Sequence, residues 1–308
     1  MNKLVIVGVD TVVGANLAVA LADRWEVVGL GGHRLRTLSG VRLRTPDDSR
    51  WQDTLALVGD EHPDCIIHCP QSLRSSWDSS PSLAADADEV RLADYLGRLA
   101  DLLGARLAMI STDAVFAGPR MFHDEQSTEF ATGPLARHAR ELETRVLQHP
   151  GTLVVRTCAY GWSAAGTPPD WAEQIWQGLN RGAAPALDGA RYATPILATD
   201  LADLLQRAYR LRLAGLLHVT GAERTNGFRF ACELAMALGL APPARLSRAD
   251  SQSVVAESSL GTRKACRALE SPMPLLREGL CRFAEQLHAG WRERLLGHAA
   301  PRSCAEAA

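Results

Sequence analysis

Lysine is nearly missing from this 308-residue chain: Lys3 and Lys264 are the only two, and the other basic side chains are arginines. Tyrosine is almost as rare, at Tyr95, Tyr160, Tyr192 and Tyr209. No long run of one charge occurs and the formal net charge is −2, which gives no footing to nucleic acid or an anionic membrane as partner. No apolar stretch approaches the ~20 residues needed to span a bilayer. The opening Met1 to Gly8 reads as a first strand rather than a signal peptide. The cysteines are odd in number and scattered. Cys65 and Cys69 have no second Cys/His pair to complete a zinc site, so no metal is expected. Free thiols in a reducing cytoplasm are the expectation.

What is present is an alternation of apolar runs and helical patterns. Lys3 to Gly8 leads through Gly8, Thr11 and Gly14 into the helix that begins near Ala15. Strand, glycine turn and helix form the opening unit of a dinucleotide-binding fold, with the free N–H groups of the helix facing a pyrophosphate. Asp10 brings a negative charge to that turn, and either Asp10 or Thr11 can cap the helix. Glu26 to Leu30 is a second strand. Arg34, just beyond it, either meets a ribose 2′-phosphate, favouring NADP, or is a solvated loop arginine. Val41 to Arg44 is a third strand, followed by a helix near Trp51 to Val58. Asp64 to Pro70 is another strand, and His68 at its end either hydrogen-bonds a ligand or is a structural histidine satisfied by backbone. The run Pro81 to Gly104 is helical in pattern, with Leu92, Leu96, Leu99, Leu102 and Leu103 as its apolar stripe. Ala105 to Phe116 reads as a buried strand whose end, Ser111-Thr112-Asp113, opens into a ligand crevice.

Ser111-Thr112-Asp113-Ala114-Val115-Phe116-Ala117-Gly118 resembles the Ser-Thr-Asp-Tyr-Val-Phe-Asp-Gly strand end of the dTDP-4-dehydrorhamnose reductase group, among the extended short-chain dehydrogenases/reductases. The resemblance continues through Arg156-Thr157 with Tyr160-Gly161, through Thr194-Pro195 to Asp200-Leu201-Ala202, through His218 to Gly221, and through Ser259-Leu260 to Gly279-Leu280. It implies an α/β, Rossmann-like, doubly wound parallel sheet with a smaller C-terminal α/β substrate lobe. The implied Rossmann domain is 1–159 with 192–220, and the lobe is 160–191 with 221–298, before a disordered tail at 299–308. It also implies NADP or NAD as cofactor, bound by Gly8, Thr11, Gly14, Arg34 and His68, and a nucleotide-sugar-like small molecule as ligand.

One family feature is missing. The group places Tyr-x-x-x-Lys on the helix after this strand, to supply a proton and hold the nicotinamide ribose. Here each tyrosine is followed four residues later by Leu99, Ala164, Ile196 or Leu213. With Glu143 aligned to the family glutamate, Leu135 and Ala139 occupy the pair's places; one residue back, Pro134 and His138 do. A positioned acid is worth about two to four orders of magnitude in ketone reduction. The expected catalytic set is therefore Ser111 and Thr112, with His138 as substitute acid and His123 and Asp113 as further candidates. Three readings follow: an NAD(P)-binding, reductase-like protein without ordinary ketone reduction, acting atypically or as a regulatory or homodimeric partner; a working reductase or epimerase using a relocated acid; or a scaffold with a dry crevice. Trp162, Trp171 and Trp176 either stack on a sugar or fill the small lobe.

Overall fold

The computed structural model describes residues 1–32, 35, 37–47, 50–78, 86–182, 189–243 and 256–297. Arg34 and the expected tail, 299–308, lie outside them.

The first half alternates strands and helices: β1 (Lys3–Val7), α1 (Val12–Leu21), β2 (Glu26–Leu30), β3 (Val41–Arg44), α2 (Trp51–Glu61), β4 (Cys65–His68), α3 (Ala87–Leu103) and β5 (Arg106–Thr112). After a 3-10 turn at Asp113–Val115 come α4 (Pro134–Val146), β6 (Leu153–Thr157), β7 (Ala159–Tyr160), α5 (Trp171–Asn180), β8 (Arg191–Ala193), β9 (Ile196–Leu197), α6 (Ala198–Arg210) and β10 (Gly215–His218). The chain then runs through β11 (Thr225–Asn226), α7 (Gly227–Leu238), β12 (Ala256–Glu257), α8 (Arg263–Leu269), α9 (Leu276–His288) and α10 (Trp291–Leu295).

Seven strands form one sheet in the order β10-β6-β5-β4-β1-β2-β3, and every neighbouring pair is parallel. Apolar runs form it because helices cover both faces, and each strand buries alternate residues on opposite sides. Leu4 and Ile6 join Leu17 and Leu201 on one face. Val5 and Val7 meet Val58, Leu96 and Leu142 on the other. Strand order reverses between β1 and β4, which opens a crevice at their carboxyl ends, where ligands of such sheets bind.

Several boundaries differ from the sequence expectation, and two of them border the crevice. The strand from Ala105 stops at Thr112, because the Thr112 hydroxyl accepts from the Ala114 N–H at 3.0 Å and turns the chain into the 3-10 turn. The helix after β4 starts at Ala87, capped by Asp86, whose carboxylate accepts from the Asp88 N–H. It ends at Gly104, whose φ of +68° suits a left-handed cap.

A smaller sheet, β11-β8-β12, packs with α7 through β11, and α7 in turn packs on α5 and α9. Tyr192 in β8 therefore belongs to the smaller sheet. Trp162, Trp171 and Trp176 pack into this lobe. Trp162 stacks on Phe283 at 4.0 Å, and Trp171 lies 5.6 Å from Tyr160 and 4.9 Å from Phe230. Asn16, buried within α1, ties the two parts together: its amide donates to the Trp162 carbonyl at 2.8 Å and its carbonyl accepts from the Trp291 indole at 2.9 Å.

Candidate functional site

The crevice begins at the glycine turn. Gly8 has φ of +83°, and a Cβ there would lie 1.9 Å from the Cys69 carbonyl oxygen. A Cβ on Gly14 would come 2.2 Å from the Gly8 carbonyl oxygen. Both positions require glycine, so β1, α1 and the end of β4 close on one another. Thr11 is the cap of α1: its hydroxyl donates to the Gly8 carbonyl at 2.8 Å and accepts from the Gly14 N–H at 2.9 Å. Asp10 caps nothing. Its carboxylate accepts from the Gly32 N–H at 2.9 Å and from the Gln71 side chain, stapling the loops after β2 and β4.

A cleft of about 650 Å³ opens from Gly8 over the ends of β2 and β4, lined by Leu30, Gly31, Trp51, His68, Ser72 and Glu89 among others. His68 is buried, and its Nδ1 has no hydrogen-bond partner among the described residues. The reading of His68 as satisfied by backbone does not account for that nitrogen. Burial drives its pKa down to about 4, so the ring is neutral at physiological pH. Glu89, on the first turn of α3, faces the same cleft. Burial opposes its charge, but hydrogen bonds from His138 and Ser72 outweigh that and hold its pKa below the ordinary value. A second cavity of about 530 Å³ lies beyond Thr11, between Gln71, Arg74, Asp78, Ala159 and Asp170.

The polar strand end is arranged differently. The Ser111 hydroxyl donates to Glu143 at 2.5 Å, and Glu143 forms a two-armed pair with Arg156 at 2.8 and 2.6 Å. All three side chains are buried. The Thr112 hydroxyl donates to the Arg74 carbonyl at 2.5 Å. Asp113 is fully buried and accepts from the Ser76 N–H at 2.9 Å, from the Ser76 hydroxyl and from the Ser258 hydroxyl at 3.0 Å. Burial raises the Asp113 pKa despite these donors. The loop after β4 thus lies across the ends of β5 and β6, and the space left beside Ser111, Thr112 and Thr157 is about 60 Å³.

His138 does not join that strand end. Its Nε2 sits 2.9 Å from Glu89, and the residue lines a separate groove with Asp86, Glu141 and Arg145. Ala139, where the sequence register sets the family lysine, packs under Val115, Phe116 and Leu260. His123 is buried and stacked 4.4 Å from Phe116. Neither lysine comes near the crevice: Lys3 at the start of β1 reaches Glu61 at 3.4 Å, and Lys264 donates to the Leu216 carbonyl at 2.7 Å, near the start of β10. In a parallel sheet both lie at the edge opposite the crevice. Among the tyrosines, Tyr95 packs on Trp51, Tyr209 on Trp25, Tyr160 in the aromatic core and Tyr192 under the Arg224 guanidinium.

The sequence reading missed Glu89, Ser72, Arg74 and Ser76. Glu89 carries a signal, an acid in the first turn of a helix, but that marks any helix start; the other three sit in an irregular loop with no pattern. Among the described residues no group of His, Cys, Asp or Glu could hold a metal ion, and no helix is long and apolar enough to cross a membrane.

The parallel sheet, its switch point and the glycine turn define a dinucleotide-fold protein of the doubly wound class. The chain belongs to the family described as RmlD substrate binding domain, which it matches over residues 1–292. No curated protein matches it significantly. Among solved structures it is similar to a dTDP-4-dehydrorhamnose reductase from Bacillus anthracis in complex with NADP, at 19% identity and a TM-score of 0.74, covering 92% of this chain and 99% of that one. It is also similar to a hypothetical dTDP-4-dehydrorhamnose reductase from Sulfolobus tokodaii, at 20% identity and 0.68, covering 86% and 94%. The Bordetella bronchiseptica enzyme WbmH in complex with NAD+ matches at 16% identity and 0.70, covering 94% and 99%.

Proposed function

We propose that this chain is an NAD(P)-binding, nucleotide-sugar-reductase-like protein that does not perform ordinary ketone reduction and acts atypically or as a regulatory partner. The cofactor reading rests on the open cleft at the switch point, with Gly8 and Gly14 forming the turn, Thr11 capping α1 and His68 offering an unpartnered nitrogen. Family membership and the NADP and NAD+ held by similar structures agree with it. A nicotinamide cofactor supplies hydride; this chain's residues would hold its adenosine side, with Leu30 and Trp51 against the base and His68 hydrogen-bonding.

The observation that carries the negative half is the internal use of Ser111, Thr112 and Asp113 at the end of β5, which leaves the Thr157 hydroxyl on β6 as the one nearby hydroxyl without a partner among the described residues. Ser111 is committed to Glu143, Thr112 to the Arg74 carbonyl and Asp113 to Ser76 and Ser258. With both lysines at the far edge of the sheet, no ammonium stands beside a phenol to protonate a developing alkoxide.

The test has two arms. NADH and NADPH titrations, read by calorimetry, should show saturable binding of at least one; binding of neither refutes the cofactor reading. Incubation with NAD(P)H and a dTDP-4-keto sugar should give no enzyme-dependent oxidation. Turnover that is lost in His138→Ala would instead establish a working reductase with a relocated acid.

A further inference from the structure

The two ends of the crevice differ in what they have room for. A doubly wound sheet is two mononucleotide-binding halves, and a dinucleotide lies across both. At the switch point, over the ends of β1, β2 and β4, the cleft is about 650 Å³ and lined by Leu30, Trp51 and His68 among others. Directly beside Ser111, Thr112 and Thr157, at the ends of β5 and β6, about 60 Å³ remains; the cavity of about 530 Å³ that also touches Thr11, Arg74 and Ser75 lies against Asp78, Pro168 and Asp170 instead. A cavity that takes a benzene ring is about 150 Å³. No aromatic ring fits beside Ser111, Thr112 and Thr157.

The cause is the chain's own Leu73–Trp77 segment, fastened at each step. The Arg74 carbonyl accepts from Thr112 at 2.5 Å, and the Ser75 hydroxyl lies 3.2 Å from the Cys158 thiol. The Ser76 N–H donates to Asp113 at 2.9 Å, and its carbonyl accepts from Arg191 at 2.5 Å. The Trp77 ring packs edge-on against Trp171 at 4.9 Å and Phe230 at 5.8 Å, anchoring the segment in the smaller lobe. Asp113 is a buried acid that takes two donors from Ser76 of this segment, so lifting the segment would leave it with Ser258 and Thr112 alone.

We propose that the crevice is a half-site: it binds a purine nucleotide through its base and ribose, while Leu73–Trp77 holds the place beside Ser111 and Thr112 and denies it to a second ring. Ligands of this class are adenosine diphosphates, with or without an attached ribose, and a dinucleotide binds as one of them with its nicotinamide ring unseated. The inference rests on the nucleotide-binding reading above and narrows it.

ADP-ribose is NADH without the nicotinamide ring, so the pair isolates the ring's contribution. A seated ring adds about a hundredfold to affinity. Calorimetric titration of the full chain with NADH and ADP-ribose should give dissociation constants within about threefold of each other. The emission of bound NADH should keep the wavelength of the free cofactor, as befits a ring left in water. NADH binding tighter than ADP-ribose by more than that margin, or blue-shifted and enhanced emission, overturns the half-site and leaves NAD(P) binding intact. Absence of binding by NADH, NADPH, ADP-ribose and ADP alike overturns both.

Discussion

Replacing Glu143 by alanine removes the carboxylate on which a buried arginine depends. Glu143 and Arg156 are 3% and 4% exposed and share two hydrogen bonds of 2.8 and 2.6 Å. The guanidinium is buried, and its other neighbours include the Phe116 and Phe130 rings at 5.0 and 5.9 Å and His218 Nε2 at 3.5 Å. Breaking a buried pair by deleting one partner costs about 3–5 kcal/mol, most of it the uncompensated charge. The Ser111 hydroxyl also loses its acceptor. At ~2–4 °C per kcal/mol for a large domain, Glu143→Ala should melt on the order of 10 °C lower. Urea unfolding followed by circular dichroism should show the midpoint fall with the slope unchanged. The decisive variant is the double replacement Glu143→Leu with Arg156→Met, which removes both charges and fills the space with apolar atoms. It should be more stable than Glu143→Ala, with a coupling energy of about 2 kcal/mol or more. Single variants costing under about 1 kcal/mol, or a double variant equal to the sum of the singles, would refute the claim that this pair is buried and mutually dependent.

Three further outcomes follow from the same geometry. Burial holds the His68 pKa at about 4, and burial followed by the Arg156 charge holds His218 at about 3; both lie below the ordinary imidazole value, so the unfolded chain takes up protons that the folded chain refuses. The stability they contribute is present above about pH 6.5 and is lost as pH falls towards 4 and 3; His68→Gln should flatten the fall between pH 6 and 5 by about 1.4 kcal/mol per unit, and an unchanged slope in urea titrations would count against it. Gly8→Ala combines a positive φ with a Cβ set 1.9 Å from the Cys69 oxygen, so it should cost at least about 2 kcal/mol in thermal melts and abolish nucleotide binding. Thr11→Val deletes the cap of α1 at nearly constant shape and should cost about 1 kcal/mol, measured by denaturant midpoint.

Much of the fold was legible because its signals are local. The strand runs from Lys3, Glu26, Cys65 and Leu153 are apolar on both faces, and Gly8 and Gly14 mark the turn that joins the first of them to its helix. Thr11 was open between a cofactor contact and a cap; its hydroxyl is used as the cap. The polar triplet Ser111-Thr112-Asp113 was legible as a strand end but not as a closed one. The groups that close it come from Arg74 and Ser76 in an irregular loop, from Glu143 on α4 and from Ser258 next to β12. His138 is near the missing pair in sequence, yet its ring turns towards Glu89 on α3.

The sequence by itself determined the alternation of strands and helices, the glycine turn and the absence of any Tyr-x-x-x-Lys, since periodicity, turn chemistry and residue counts are properties of neighbours along the chain; the doubly wound sheet was implied by the family resemblance. Only the tertiary structure decided which end of the crevice is open. Hydroxyls and carboxylates bond to whatever donor or acceptor the fold brings within about 3 Å, and those partners lie as far apart in sequence as Asp113 and Ser258.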